Sequence, residues 1–202
     1  AFNAGGVSYW TTNGVENFGV GRGSNAWTVL VDDQQKVWVG TRDEGLFEFQ
    51  TNQFVRAPGA EICGAQINAL FASRDGQLWV GTQNGLADFD GQKWKLFTTR
   101  DGLSGNSIRA IAQDASGNFW IGTENNGLDF FKDGKFTVFR KSENGLPGDD
   151  ISCLLVDADG ALWVGTSGHG LARFQNGKWT CYSTDDGLAS DSISYLAEDD
   201  EN

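Results

Sequence analysis

The residues best able to do chemistry are few. The chain has 202 residues with one histidine, His169, and three cysteines, Cys63, Cys153 and Cys181. His169 lies in the turn Ser167-Gly168-His169-Gly170. A lone imidazole cannot build a two-histidine metal site, so it reads as an exposed turn residue. The cysteines are odd in number and match no zinc spacing. Cys153 takes a strand position that suits a small buried hydrophobe. Cys181 falls two strands away, about 10 Å between strand axes and too far for a disulfide. Cys63 falls in a loop and is open to exposure. All three are expected as free thiols. No nucleophile elbow, phosphate-cradling loop or zinc motif is present. Asp157-Ala158-Asp159-Gly160 begins like a calcium loop, but the twelfth position is Gly168, so a hairpin turn is favoured. The expectation is a protein without metal or cofactor, and no enzyme. A lyase or hydrolase using surface acids and His169 would need two carboxylates at catalytic spacing.

What remains is recognition chemistry, set up by polar residues that change between otherwise matching positions. Trp27, Asn68, Arg109, Ser152 and Ser194 occupy one such position. Just before it come Ser24/Asn25, Ala65/Gln66, Asn106/Ser107, Asp149/Asp150 and Asp191/Ser192. A second loop supplies Arg42-Asp43-Glu44, Gln83-Asn84, Glu124-Asn125-Asn126 and Ser167-Gly168-His169. The candidate ligand-binding set is Trp27, Asn68, Arg109, Asn106, Asp149, Asp150, Asp191, Glu124, Asn125 and His169. Trp27 offers a stacking plate. Asn68, Asn106 and Asp150 offer hydrogen bonds to hydroxyls. Arg109 can hold a carboxylate through two parallel bonds. The inventory suits a small polar ligand such as an oligosaccharide; docking of a protein partner and plain solvation of a rim compete with it.

These positions match because the chain repeats. Val37-Trp38-Val39-Gly40-Thr41, Leu78-Trp79-Val80-Gly81-Thr82, Phe119-Trp120-Ile121-Gly122-Thr123 and Leu162-Trp163-Val164-Gly165-Thr166 place their tryptophans 41, 41 and 43 residues apart. Periods near 40 residues mark propellers, solenoids or arrays. In the third unit, short β-type runs at 107–113, 118–123, 128–131 and 135–139 are separated by Gly-, Asn- and Asp-rich turns, the signature of hairpins. No sustained 3.6-residue apolar period predicts a substantial helix. Four antiparallel strands per unit make a propeller blade, with the second-strand Trp filling the space between blades.

The predicted fold is therefore an all-β propeller, a single domain over 1–202. Internal blades are placed at about 24–61, 62–104, 105–147 and 148–188. A fifth blade is expected from both ends, 1–18 with 189–202, so that pairing of the terminal segments closes the ring and covers edge strands. Its outer strand is expected to be missing. A piece of a larger propeller is the competing account.

The pattern Gly-x-Leu-Trp-Val-Gly-Thr-x-x-Gly-Leu, then Phe-Asp-Gly-x-x-Trp-x-x-Phe-Thr-Thr-x-Asp-Gly-Leu, resembles the two-component-regulator propeller repeat. Gly76 to Leu103 is the cleanest copy; Gly117 to Leu146 and Gly160 to Leu188 follow it, and Lys36 to Glu61 is a decayed one. The resemblance implies a bacterial, periplasmic or secreted sensory module, often one that senses oligosaccharides and commonly with seven blades. A scaffolding subunit docked on a larger complex is the alternative.

The formal net charge of −12 opposes binding to a phosphate backbone, so no nucleic-acid partner is expected. No apolar run approaches the ~20 residues of a membrane helix, so no insertion into a membrane is expected.

Overall fold

A computed structural model of the chain describes residues 2–3, 6–11, 14–23 and 25–199. Parts of the expected terminal blade (residues 1, 4–5, 12–13 and 200–202) and Ser24 lie outside the described residues. The chain divides into two compact units, Ala1–Leu96 and Phe97–Asn202.

The first unit opens with Phe2–Asn3 (β1), Gly6–Thr11 (β2) and Gly14–Gly19 (β3), a sheet in the order β1-β2-β3. Ala26–Val31 (β4), Val37–Thr41 (β5), Leu46–Gln50 (β6) and Gln53–Arg56 (β7) form the next sheet in chain order. Ile67–Ala72 (β8), Leu78–Thr82 (β9), Leu86–Phe89 (β10) and Trp94–Phe97 (β11) form a third, its last strand reaching the boundary. In the second unit, Ile108–Gln113 (β12), Phe119–Thr123 (β13), Leu128–Lys132 (β14) and Lys135–Phe139 (β15) form one sheet, and Ile151–Val156 (β16), Leu162–Thr166 (β17), Leu171–Gln175 (β18) and Lys178–Tyr182 (β19) the other. The four-stranded sheets are propeller blades, as the repeat predicts. Helix among the described residues is limited to Lys141–Asn144 and three short 3₁₀ turns.

Each residue of the Leu-Trp-Val-Gly-Thr signature has a packing job. Trp38 lies in a cluster with Leu46, Ala57, Cys63, Ile67 and Leu78, and Trp120 in one with Leu128, Ile151, Leu162 and Val164. The clusters thus join consecutive blades within each unit. The glycine is needed for close approach. A Cβ on Gly40 would sit 2.5 Å from Ile67 Cγ2, and one on Gly122 would sit 2.5 Å from Ile151 Cγ2. The following blade's isoleucine occupies that space, and burying such a side chain stabilises by about 2 kcal/mol. The threonine is buried and closes the next loop. Its hydroxyl donates to the carbonyl of Gly45 (2.9 Å), Gly85 (2.8 Å), Gly127 (2.7 Å) and Gly170 (2.7 Å) in the four copies.

The Asp-Gly-Leu element also has a physical basis. Asp101 Oδ2 accepts from Thr98 N at 2.9 Å while Thr98 Oγ1 accepts from Arg100 N at 3.3 Å. Ser183 and Asp186 repeat this reciprocal cap. The cap satisfies backbone donors at the start of a short turn.

Two expectations need correction. Asp191–Asp199, expected as a first strand, forms no ladder among the described residues. The segment docks against the β16–β19 blade, through a bridge between Ser167 and Ser192 and a bond from Ile193 N to Thr166 O at 3.0 Å. Ile193 lies over Gly165 as Ile151 lies over Gly122. It therefore packs on the blade before it as a first strand does. Cys63 is not exposed. It lies in the 3₁₀ turn Ala60–Cys63 and is fully buried in the Trp38 cluster. All three cysteines are free, with Cys181 exposed. Among the described residues the sheet of β1, β2 and β3 has three strands.

Candidate functional site

In every four-stranded blade the pairing of the first strand with the second slips by one residue. The slips fall between Ala26 and Thr28, Ile67 and Ala69, Ile108 and Ala110, and Ile151 and Cys153. The extra residues are Trp27, Asn68, Arg109 and Ser152, the variable position singled out in the sequence. A bulge frees one residue from the ladder and re-aims its side chain. The loop between the second and third strands comes to the same end of each sheet. Arg42, Gln83, Glu124 and Ser167 donate their N–H to the carbonyls of Asn25, Gln66, Ser107 and Asp150 at 2.8–3.3 Å.

In the first unit Trp27 is half exposed, at 49%. The Arg42 guanidinium carbon lies 3.5 Å from the centre of its ring, a cation–π stack. Asn68 Oδ1 accepts from the Gln66 side-chain amide at 3.1 Å.

In the second unit Arg109 pairs with Glu124 through Nη2 and Oε1. Ser107 Oγ donates to Glu124 Oε2 at 2.8 Å. The Ser107 hydroxyl first, and the Arg109 guanidinium second, hold the Glu124 carboxyl below the usual carboxylate range. The pair is partly exposed, so its net worth to stability is at most about 1 kcal/mol. Its effect on recognition is larger. The guanidinium expected to hold a ligand carboxylate already holds an internal one. Ser152 Oγ donates to the carbonyl of Ile193. Asp150 Oδ1 is buried and without a hydrogen-bond partner among the described residues.

Three of the candidate ligand contacts also hold the loops. Asn106 Oδ1 accepts from Thr99 N at 2.9 Å, Asp149 Oδ1 from Lys141 N at 2.8 Å and Asp191 Oδ1 from Thr184 N at 2.7 Å. The carbonyls of Asp149 and Asp191 also accept from Gly127 and Gly170, each at the end of the preceding blade's second loop. These side chains brace the segment that feeds each bulge. Asn125 is an exposed turn residue with a left-handed φ of 62°. His169 is exposed, and its side chain packs so close to Gly148 that a Cβ there would come within 2.8 Å.

Sequence reasoning left one group out of the candidate set. Asp129 in β14 is fully buried. Burial, the largest influence, pushes its carboxyl up to about 6, against the bonds from Ser104 and the Arg140 charge. The available signal was an acid where the other blades carry Phe47, Ala87 and Ala172.

Three segments, 61–84, 102–125 and 145–168, match the family model described as "Two component regulator propeller". Comparison with curated proteins finds no match. Among solved structures, the extracellular domain of BT3049 from B. thetaiotaomicron, described as a hybrid two component system, is 24% identical with a TM-score of 0.78; the match covers 92% of this chain and 26% of that one. The corresponding domain of BT4673 from the same organism is 22% identical with a TM-score of 0.70, covering 90% of this chain and 29% of that one. The virginiamycin B lyase of Staphylococcus aureus is 20% identical with a TM-score of 0.61, covering 78% and 55%. The chain thus spans between a quarter and a third of the length of the two extracellular domains.

Proposed function

We propose that this chain of two-component-regulator propeller repeats is part of a non-enzymatic bacterial sensor, working in the periplasm or outside the cell and binding a small polar ligand such as an oligosaccharide at the loop end of its blades. The observation that carries the reading is the bulge repeated in each four-stranded blade. The same backbone device recurs in four blades, yet it presents an indole, an amide, a guanidinium and a hydroxyl. A feature kept for stability alone has no need of four different side chains.

The electrostatics favour an uncharged ligand. Arg109 and Glu124 neutralise each other, and together with Ser107 they present hydrogen-bond donors and acceptors of the kind hydroxyl groups meet. The Trp27–Arg42 stack supplies a flat surface for a sugar ring in the first unit. The extracellular domains of similar fold support a sensory role. The lyase of similar fold keeps a catalytic alternative in play, but no cluster of three or more His, Cys, Asp or Glu side chains suited to a metal occurs among the described residues.

Calorimetry against a panel of neutral and acidic oligosaccharides tests the reading. Binding that falls at least tenfold in Trp27→Ala or Arg109→Ala supports it. Binding unchanged in both variants overturns the site.

One observation favours docking on a protein as a second reading. Val29 and Val31 stand on β4 in alternation with Trp27 and are 45% and 55% exposed. Co-purification that depends on Val29 and Val31 would support that reading.

A further inference from the structure

Asp129 is a buried acid that the loop-end chemistry does not use directly. In β14 it stands opposite Ile121 of β13 and Val138 of β15, both apolar. Its carboxylate is held by one residue. Ser104 N donates to Oδ1 at 3.0 Å and to Oδ2 at 3.2 Å, and Ser104 Oγ donates to Oδ2 at 2.7 Å. Ser104 Oγ also lies 3.4 Å from the hydroxyl of Thr123, the residue before Glu124. The charge that bears on the carboxyl is Arg140.

The repeats provide an internal control. Where β14 has Asp129, the matching strands have Ala87 and Ala172; where the feeding loop has Ser104, the matching loops have Cys63 and Pro147. Proline has no N–H and a thiol is a weak donor. Acid and double donor occur together in one blade, and both are missing from these two others.

Ser104 is joined to the recognition end by a short, tightly held segment. Gly105 packs against Asn126, where a Cβ would come within 2.6 Å of Oδ1. Ser107 follows, with its hydroxyl on Glu124 Oε2 and its carbonyl taking Glu124 N at 2.8 Å. Glu124 in turn holds Arg109.

We propose that Asp129 and Ser104 form a proton-operated latch that sets the position of Ser107, and through it the Arg109–Glu124 pair, so that recognition at this end of the blade responds to pH. The regulatory meaning rests on the recognition reading above; the latch itself does not. A carboxylate only accepts, so it can take both Ser104 donors at once. A protonated carboxyl has a hydrogen of its own to place; when Oδ2 carries it toward Ser104 Oγ, the serine becomes the acceptor and turns its own hydrogen away, on the side where Thr123 Oγ1 lies at 3.4 Å. Burial puts this change near pH 6 rather than in the usual carboxylate range.

The test is an NMR titration from about pH 4 to about pH 8, following the Asp129 carboxyl carbon, the Ser104 amide and the Arg109 Nε–H. The latch requires all three signals to move with one midpoint near pH 6. Asp129→Asn must leave the other two flat. Ser104→Ala, a milder change, must raise the Asp129 midpoint, because a bond to the charged form is lost. An Asp129 midpoint in the ordinary carboxylate range overturns the proposal. So does an Arg109 signal that stays still while Asp129 titrates, or a midpoint that Ser104→Ala does not move. No ligand is needed. A failed oligosaccharide screen beside a coupled titration would therefore remove the recognition reading and leave the latch.

Discussion

The Cγ2 of Ile151 occupies the space where Gly122 would carry a side chain, 2.5 Å from an added Cβ. The relationship explains two recurring residues at once. The glycine of the second strand is small because the isoleucine that opens the next blade's first strand is large. Ile67 on Gly40 repeats it in the other unit. Gly122→Ala should therefore destabilise by about 1–3 kcal/mol through overpacking. Gly19→Ala, at an exposed strand end with nothing within 4 Å of the added Cβ, should change little. Denaturant midpoints of the two variants decide it. Equal midpoints would mean that the blade contact yields easily.

Asp129 should make stability depend on pH in an unusual direction. Its folded-state value, raised to about 6, lies above the ordinary aspartate value of 3.8. The folded chain therefore binds the proton more tightly than the unfolded chain. The advantage is fully present at low pH and is lost as pH rises towards and through about 6. The loss is up to about 3 kcal/mol for a shift of this size. Protonation thus removes the cost of a buried charge even as it unsettles the bonds from Ser104. Asp129→Asn should flatten this part of the profile and equal or exceed the parent in stability at neutral pH. Thermal melts across the range test it, and a parent profile that rises with pH over this window would contradict the assignment.

Glu124→Gln should cost less than about 1 kcal/mol in stability, since the pair is partly exposed and screened. Its effect should appear in selectivity. With the internal carboxylate gone, Arg109 becomes available to an external one. Acidic oligosaccharides should gain affinity relative to neutral ones, by calorimetry on the same panel. An unchanged ratio would show that Arg109 does not face the ligand.

Much of this was legible in the sequence for a physical reason. The Trp, Gly and Thr of each second strand serve contacts with fixed geometric demands, so their spacing exposes the blades. The bulge could be located only as a variable position, because a one-residue slip of register leaves no mark in composition. The loop bonds of Asn106, Asp149 and Asp191 were hidden for a related reason. A short polar side chain that caps a loop and one that meets a ligand have the same residue types. Ile193 is the clearest case of partial legibility. It has the sequence of a first strand and makes a first strand's contact with Gly165, yet among the described residues it forms no ladder. Asp129 was passed over because alternation marks strand faces without saying which buried position can hold a charge.

The cysteines should separate by reactivity. Cys63 is fully buried, and burial together with the Glu61 charge pushes its thiol up to about 12. The thiolate is the reactive form, so this site should be inert in the folded chain. Burial also raises Cys153, though its side chain is less enclosed, and its sulfur lies 3.9 Å from the Ile193 carbonyl. Cys181 is exposed. A thiol reagent at mildly alkaline pH should modify Cys181 first and Cys153 slowly. Cys63 should react only on unfolding, so its rate reports opening of the Trp38 cluster. Mass spectrometry of the modified peptides over time gives the order directly. Modification of Cys63 as fast as Cys181 would mean that the Ala60–Cys63 turn opens without the blades around it.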